Sequence, residues 1–189
     1  MVPKSQIGNR KSKMTTPHSH NLTPAMIPIT GRLDPWDVAV RLLAGQALTT
    51  RELQQRLVRR GYASDQIDVV IAKLTASRYL DDAEYAKSWA RSRAHRRSVG
   101  PARLAQELHV RGIAEEQIAA ALKEAFVERD VREVAEAAAL RKLRSLRDFT
   151  PEVARRRLAA HLTRQGFSAE IVLALCQKHL PRGEDPNDQ

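Results

Sequence analysis

The sequence contains few side chains of the kinds that carry out catalysis or hold a metal ion. His18 and His20 form a His-x-His pair, but two ligands without a third make a weak metal site. Cys176 and His179 are three residues apart, which would bring a thiol beside an imidazole on one face of a helix. Cys176, however, occupies a position that is apolar in two similar segments of the chain, so we expect it to pack in a hydrophobic core.

Asp81 and Asp82 are adjacent carboxylates, and such a pair can serve as a metal or acid/base site. We expect instead that one of them caps a helix beginning near Ala83, where the helix dipole favours negative charge. The sequence has no glycine-rich phosphate loop, no Gly-x-Ser-x-Gly motif and no histidine pair with metal-binding helical spacing. It therefore predicts a protein that is not an enzyme, with no catalytic residue, cofactor or metal.

Basic residues are more informative because they are concentrated in two blocks. The formal net charge is +10, so the protein should attract polyanions. Residues 91–111 contain six arginines and one acid, whereas residues 141–164 contain eight basic residues and two acids. Arginine makes bidentate contacts with phosphates and carboxylates alike. The candidate contact residues are Arg91, Arg93, Arg96, Arg97, Arg103, Arg111, Arg155, Arg156 and Arg157.

Three classes of partner suit this charge: nucleic acid, which we favour, the acidic face of another protein, and an anionic membrane. The sequence lacks the interleaved aromatic residues that are typical of base-stacking single-strand binders. Trp89 follows Tyr85 by four residues, so both lie on one helical face. Such a pair is more often part of a core than a stacking platform.

Compartment and membrane topology are also constrained by the sequence. Cys176 is the only cysteine, so the chain cannot form an intramolecular disulfide, and a reducing cytoplasm fits. The basic N-terminal segment lacks the continuous apolar run of a signal peptide. Because no run of about 18 apolar residues exists either, we expect a cytoplasmic protein that does not enter the membrane.

The elements that must position these residues are revealed by an internal repeat. Three windows of equal length align without gaps, and each contains a glycine followed by an apolar residue, at Gly61, Gly112 and Gly166. The periods of 51 and 54 residues are typical of stacked helical modules. Leucines four and eight residues before each glycine lie on one helical face, and the glycine supplies a left-handed cap. The windows cover residues 53–74, 104–125 and 158–179.

Each glycine separates two predicted helices, and a further helix precedes each pair, over residues 36–43, 83–97 and 131–147. Thr50, Pro101 and Pro151 mark helix starts, and Ser64 and Ser168 are expected N-caps. We therefore predict an all-α fold of nine helices, in three tandem three-helix repeats that form an elongated, curved array.

The predicted domain boundaries follow from these patterns and from the composition of the chain ends. They are a disordered basic tail over 1–33, repeats over 34–80, 81–128 and 129–180, and a flexible C-terminal tail over 181–189.

A helix-turn-helix regulator is the obvious alternative, since a helix, a tight turn and another helix recur three times. In such proteins the N-terminal residues of the recognition helix approach the bases between rows of phosphates. Here those positions hold acids, including Asp65, Glu115 and Glu170. Their repulsion from phosphate argues against base recognition by these helices.

Residues 79–113, with the sequence YLDDAEYAKSWARSRAHRRSVGPARLAQELHVRGI, resemble the central pattern of the RecX family of regulatory proteins. The similar features are the aromatic-Leu-Asp-Asp entry, a helix with Tyr85 and Trp89, a basic exit before Gly100, and the Gly112 turn. The resemblance covers residues 36–180. The long tail before Asp34 departs from the family pattern, as does Thr50, where a serine cap is common.

This resemblance implies three tandem three-helix repeats and a regulatory function. RecX proteins bind the RecA recombinase in the groove of its filament on single-stranded DNA, where they block filament growth and suppress ATP hydrolysis and strand exchange. The implied partners are thus RecA and single-stranded DNA, reached through the filament or directly, and we expect a monomer. Two other hypotheses remain open: a general nucleic-acid-binding module, and a helical-repeat adaptor for an unrelated acidic protein.

Overall fold

The computed structural model of the protein describes residues 33–127 and 129–181. In these residues the regular structure consists of nine α-helices and no strand, which confirms the predicted all-α fold. The tails expected over 1–33 and 181–189 lie outside the described residues except for Leu33 and Pro181, and so does the pair of His18 and His20.

The helices follow one another in three sets of three, as predicted. The helix expected over 131–147 ends earlier, at Leu143, because the chain turns there and buries Leu146, which is only 3% exposed. The helices are α1 (Pro35–Gly45), α2 (Thr50–Arg59), α3 (Ser64–Ala76), α4 (Asp82–Arg97), α5 (Pro101–Val110), α6 (Glu115–Ala125), α7 (Val131–Leu143), α8 (Pro151–Arg164) and α9 (Ala169–His179).

The first helix of each repeat is capped by an aspartate. The side chains of Asp34, Asp81 and Asp130 accept hydrogen bonds from main-chain N–H groups two or three residues ahead, at 2.7, 2.9 and 2.6 Å. Each cap satisfies a donor that the helix itself leaves unpaired and places a negative charge at the positive end of the helix dipole. The expected capping function of the Asp81–Asp82 pair is confirmed for Asp81.

Two other expected caps differ. Ser168 caps α9, with its hydroxyl 3.5 Å from the nitrogen of Ile171. Ser64 was the wrong prediction for α3: it is the first helical residue, and Ala63 is the N-cap, its N–H donating to the side chain of Gln66 at 3.3 Å. Glutamine three residues after the cap thus supplies the acceptor that serine does not.

Each repeat encloses its own hydrophobic core. The paired leucines of α2, α5 and α8, four residues apart, are fully buried. In the second repeat the long helix α4 packs closely on α6 through Ala86, Ala90 and Ala94, which have no exposed surface. Their small side chains recur every four residues, so the two helix axes can approach closely. The buried leucines are Leu53, Leu57, Leu104, Leu108, Leu158 and Leu162.

The turns between the second and third helix of each repeat are alike. Gly61, Gly112 and Gly166 have φ angles of 78°, 83° and 88°, the left-handed conformation that residues with a Cβ adopt only at a cost. The following residue then turns inward, and Ile113 and Phe167 are 3% and 5% exposed.

The first and second repeats join where the Gly112 turn meets the start of α2. The hydroxyl of Thr49, which is fully buried, donates a hydrogen bond to the carbonyl of Arg111 at 2.8 Å. The N–H of Thr50 donates to the Asp82 carboxylate at 2.8 Å. Thr50 is the first residue of α2, as predicted, and Thr49 is the N-cap, so the main-chain N–H of Thr50 is available to link the repeats.

The second and third repeats join at the equivalent turn, but here the hydrogen bonds run between main-chain atoms only. The N–H groups of Gly100 and Ala102, at the start of α5, donate to the carbonyls of Gln165 and Gly166 at 2.8 and 3.2 Å. The glycine turn of one repeat thus satisfies free donors at the N-terminus of the second helix of the repeat before it.

The second helix of the third repeat differs from its two counterparts. Its N-cap, Thr150, lies eight residues before the buried Leu158, whereas Thr49 and Gly100 lie four residues before the equivalent leucines. The helix α8 therefore begins about one turn earlier than α2 and α5 do.

Alanine substitutions should show that the junction between the second and third repeats is the tighter one. A Cβ at Gly112 would meet only side-chain atoms of Arg51, the nearest being Cδ at 2.5 Å and Cβ at 2.8 Å, whereas one at Gly166 would overlap the main chain of Arg103, with its nitrogen at 2.3 Å. We expect Gly112→Ala to lower the free energy of unfolding by about 1–2 kcal/mol, the usual cost of the left-handed conformation, and Gly166→Ala to lower it by more.

Urea denaturation would measure both effects, with Gly45→Ala as the control. A Cβ at Gly45 meets nothing within 4 Å, so this substitution should leave stability unchanged or raise it slightly. Equal losses for Gly112→Ala and Gly166→Ala would show that the two junctions are equally tolerant.

Candidate interaction surface

Two of the candidate contact arginines, Arg93 and Arg103, pair with one carboxylate of the second repeat. Glu107, on α5, pairs with Arg93 of α4 at 2.5 Å and with Arg103 at 3.1 Å. Its other oxygen accepts a hydrogen bond from the indole nitrogen of Trp89 at 3.2 Å. The Glu107 side chain is only 18% exposed, so these charge-assisted bonds form in a partly desolvated setting.

Arg111 belongs to the same cluster around Glu107 and Trp89. Its guanidinium carbon lies 4.0 Å from the centre of the Trp89 ring, and its Nε donates to the hydroxyl of Tyr85 at 3.1 Å. Tyr85 and Trp89 stack with their ring centres 5.9 Å apart and pack against the core of the second repeat. Trp89 is therefore a packed residue whose ring lies under a cation, and Arg111 also reaches Glu52 of the first repeat at 3.5 Å.

These contacts set the protonation of the central carboxylate. Burial raises the pKa of Glu107, but the hydrogen bond and positive charge of Arg93, with the bonds from Arg103 and Trp89, outweigh it, and the pKa falls below its usual value. Glu107 is therefore ionised at neutral pH and compensates the charge of its two arginine partners.

The remaining arginines of α4 are more accessible. Arg91 is exposed and its guanidinium contacts Glu124 of α6 at 2.6 Å. Arg96 and Arg97 lie exposed at the C-terminal end of α4, and neither forms an ion pair within residues 33–127 and 129–181. Of the α4 arginines, these two present the least compensated charge.

The arginines of α8 divide in a similar way. Arg155 is half-buried and donates to the carbonyl of Leu180 at 3.1 Å, so it fastens the end of α9 to α8. Arg157 lies over the Phe149 ring, 3.9 Å from its centre, with both side chains exposed to solvent. Arg156 is exposed, and in the part of the chain that the structure describes it has no ion-pair partner.

A further basic site lies between the second and third repeats, and the candidate list missed most of it. A cavity of about 270 Å³ is bordered by the end of α4, the end of α7 and one face of α8. Arg141 and Lys142 belong to the second basic block, but nothing in their spacing predicts that they meet Arg97. The lining residues are Arg97, Ala138, Arg141, Lys142, Ser145, His161 and Gln165.

His161 reports the electrostatic character of this cavity. Burial lowers its pKa, and so do the positive charges of Lys142, Arg164, Arg141 and Arg103, in that order. The imidazole is therefore neutral at neutral pH, because the cavity disfavours one more positive charge.

The other pairs considered for chemistry have structural partners. Cys176 is 2% exposed, which confirms the prediction of core packing, and burial raises the pKa of its thiol. His179 contacts Glu136 of α7 at 2.7 Å. Among the described residues no group of three or more His, Cys, Asp or Glu side chains is placed to hold a metal ion, and no helix is long and apolar enough to span a membrane.

The fold and the basic surface define an all-α protein of tandem three-helix repeats. Comparison with family models then specifies the repeats: residues 36–74, 81–122 and 130–176 match the first, second and third three-helix domains of RecX. The chain belongs to the RecX family of regulatory proteins.

Curated relatives of this chain are also RecX proteins. The regulatory protein RecX of Pelodictyon phaeoclathratiforme is 34% identical over 148 residues, covering 78% of this chain and 90% of the relative. That of Halorhodospira halophila is 39% identical over 140 residues, covering 73% and 83%.

Solved structures show the same fold. The crystal structure of a regulatory protein RecX aligns with a TM-score of 0.69 at 24% identity, covering 75% of this chain and 70% of the other. RecX from Lactobacillus salivarius aligns with a TM-score of 0.66 at 22% identity, covering 76% and 93%.

Replacing Glu107 by glutamine should destabilise the protein in a pH-dependent way. The substitution leaves Arg93 without its charged partner, and we expect a loss of about 1–2 kcal/mol at pH 7, reduced from that of a fully buried pair by partial exposure. Because the folded-state pKa of Glu107 is lowered, its stabilisation is present above the unfolded-state pKa and disappears as pH falls through the folded-state value.

Urea denaturation of both proteins from pH 7 to pH 3 would test this. The difference between wild type and Glu107→Gln should shrink below about pH 4. The exposed Glu152, which forms no ion pair among the described residues, gives the control Glu152→Gln, for which we expect little change. A difference that stays constant with pH would contradict the assignment.

Proposed function

We propose that this protein binds the RecA recombinase and its filament on single-stranded DNA, and that it inhibits filament extension, ATP hydrolysis and strand exchange. In this way it would modulate recombination and DNA repair. The observation that carries the proposal is the ordered match of all three repeats to the three RecX domains. The curated relatives are named regulatory proteins, and we infer that this chain also acts by binding and not by catalysis.

The exposed arginines are the contacts we propose for the filament. Arg96 and Arg97 at the end of α4, with Arg156 and Arg157 on α8, present guanidinium groups to solvent. They suit an acidic protein groove or a phosphate backbone equally well. The more enclosed Arg93, Arg103, Arg111 and Arg155 have internal partners, so we assign them mainly to shaping this surface.

The proposal also includes the organisation of the chain. We take the repeats to span 34–80, 81–128 and 129–180 and the protein to act in the cytoplasm as a monomer. We also expect no contact with membranes, since the partner that we propose is a filament of protein and nucleic acid.

A second candidate is a general nucleic-acid-binding module that acts without RecA. The basic cavity between the second and third repeats favours it, because no carboxylate is among the lining residues and the site needs no recombinase to be complete. An adaptor for an unrelated acidic protein has no comparable observation in its favour.

The decisive experiment adds the purified protein at substoichiometric amounts to preformed RecA filaments on single-stranded DNA and follows ATP hydrolysis. A fall in hydrolysis at ratios too low to coat the DNA supports filament-directed regulation. No effect until the protein saturates the DNA would favour the general nucleic-acid binder instead.

Replacing Arg96 and Arg97 together by alanine should weaken this inhibition without unfolding the protein. Two exposed charge contacts at about 0.5 kcal/mol each predict about a fivefold higher concentration for half-maximal inhibition of ATP hydrolysis. Arg93 is left in place because it holds Glu107.

The matched control is the Arg59→Ala/Arg60→Ala double variant, which removes the same charge from the C-terminal end of α2. Inhibition by this control should stay close to wild type. Equal weakening by both double variants would mean that net charge, and not the α4 surface, governs the interaction.

A further inference from the structure

We propose that the cavity between the second and third repeats binds a backbone phosphate of a single nucleic-acid strand, with Arg97, Arg141 and Lys142 as its cationic ligands. This inference rests on the nucleic-acid-binding candidate above and names its site and its ligand; the site is formed by this chain alone and should bind a strand with no recombinase present.

Four segments of the chain form the cavity. Arg97 is the last residue of α4, Arg141 and Lys142 lie at the end of α7, Ser145 follows α7, and His161 is on α8. The repeats therefore have to be folded and joined before these groups meet.

Hydrogen bonds fix part of the cavity lining in place. The guanidinium of Arg141 donates to the hydroxyl of Ser98, a residue only 1% exposed in the left-handed position that ends α4. The hydroxyl of Ser145 donates to the carbonyl of Lys142 at 2.8 Å. The end of α7 is thus tied both to the end of α4 and to its own last turn.

The basic residues could serve only to offset the negative ends of helix dipoles, since α4, α7 and α8 all end near the cavity. Each helix end is equivalent to roughly −0.5 of a charge, or about −1.5 for three. Arg97, Arg141 and Lys142 alone carry three permanent positive charges, and no carboxylate is among the lining residues. A positive excess therefore remains, as the lowered pKa of His161 also indicates.

The chemistry of the lining favours a phosphate over a carboxylate. A planar carboxylate is satisfied by one guanidinium in a bidentate pair. This cavity instead offers two guanidinium groups, one ammonium and the Gln165 amide, contributed by α4, α7 and the end of α8. Donors converging from several directions suit the tetrahedral oxygens of a phosphate group.

Occupation of the site should also change the titration of His161. The charges that act on it are Lys142 and Arg141 from α7, Arg164 from α8 and Arg103 from α5, and Arg97 of α4 lines the same cavity. All of these are positive, so a bound phosphate would supply the missing negative charge and raise the pKa of the imidazole.

The first test measures binding of a fluorescent oligothymidylate by anisotropy at several salt concentrations, without RecA. The Arg97→Gln/Lys142→Gln variant removes two ligands but keeps Arg141, which has a structural partner. Two lost phosphate contacts should reduce the slope of log K against log salt by about 1.4, at about 0.7 per contact for a single strand.

The matched control is Lys73→Gln/Lys123→Gln, which removes the same net charge from the exposed last turns of α3 and α6. Its salt slope should remain that of the wild type. Urea denaturation of both variants would verify that each remains folded. Equal reduction of the slope in both would overturn the proposal, because it would show diffuse electrostatic binding.

The second test follows the histidine resonances by NMR as pH is varied, with and without oligothymidylate. The pKa of His161, assigned from the His161→Gln variant, should rise on binding, while the ring resonances of the exposed His109 on α5 should move much less when the oligothymidylate is added. No change at His161, or an equal rise with polyglutamate that also displaces the oligothymidylate, would overturn the phosphate assignment.

The two proposals can fail independently. If wild-type protein leaves RecA ATP hydrolysis unchanged but shows the expected salt slopes and His161 response, the regulatory proposal fails and the phosphate site stands. If hydrolysis falls but the slopes of the two double variants are equal, the phosphate site is overturned and regulation stands.

Discussion

The structure depends on the contact between a glycine turn and the start of a helix in the preceding repeat. At both junctions, carbonyl groups around the turn accept hydrogen bonds at the start of the second helix of the repeat before it. At the second junction the donors are main-chain N–H groups that have no partner within their own helix, whereas at the first junction the donor is the hydroxyl of Thr49. The close approach requires glycine, because a Cβ at Gly166 would overlap the main chain of Arg103. The basic cavity lies between the two repeats that the Gly166 turn joins, and the bond from Arg141 to Ser98 is a second link between them.

A single carboxylate organises much of the positive charge. Glu107 holds Arg93 and Arg103 and accepts a bond from Trp89, over which Arg111 is placed. Arginines that are equivalent in the sequence therefore differ in the structure: some build the second repeat and its link to the first, and others remain available to a partner. Fewer cations are available to a partner than the composition implies.

The sequence predicts the helices and repeats because these depend on local spacing. Leucines four residues apart, followed by a glycine, indicate one helix, one left-handed turn and the next helix. Whether an arginine is paired internally or available to a partner depends on contacts between residues that are far apart in the sequence. Arg111 reaches Glu52 of another repeat, and the basic cavity combines α4, α7 and α8. A list of basic residues can indicate that a polyanion binds, but only the folded chain shows which cations are already compensated. The error at Ser64 is one residue in size: Ala63 is the N-cap, and the side chain of Gln66 accepts a hydrogen bond from its N–H.

The early start of α8 has a consequence for how such a chain could have grown. Because the first two repeats carry the same turn and the same receiving helix end, duplication of a whole repeat would reproduce both halves of a junction and lengthen the array. In the third repeat the helix extends about one turn beyond the position at which α2 and α5 receive a turn. Another repeat added after it would not find the same receiving end. The third repeat thus differs from the first two at the position where each of them receives the next repeat, comparable to the altered end units of other repeat proteins.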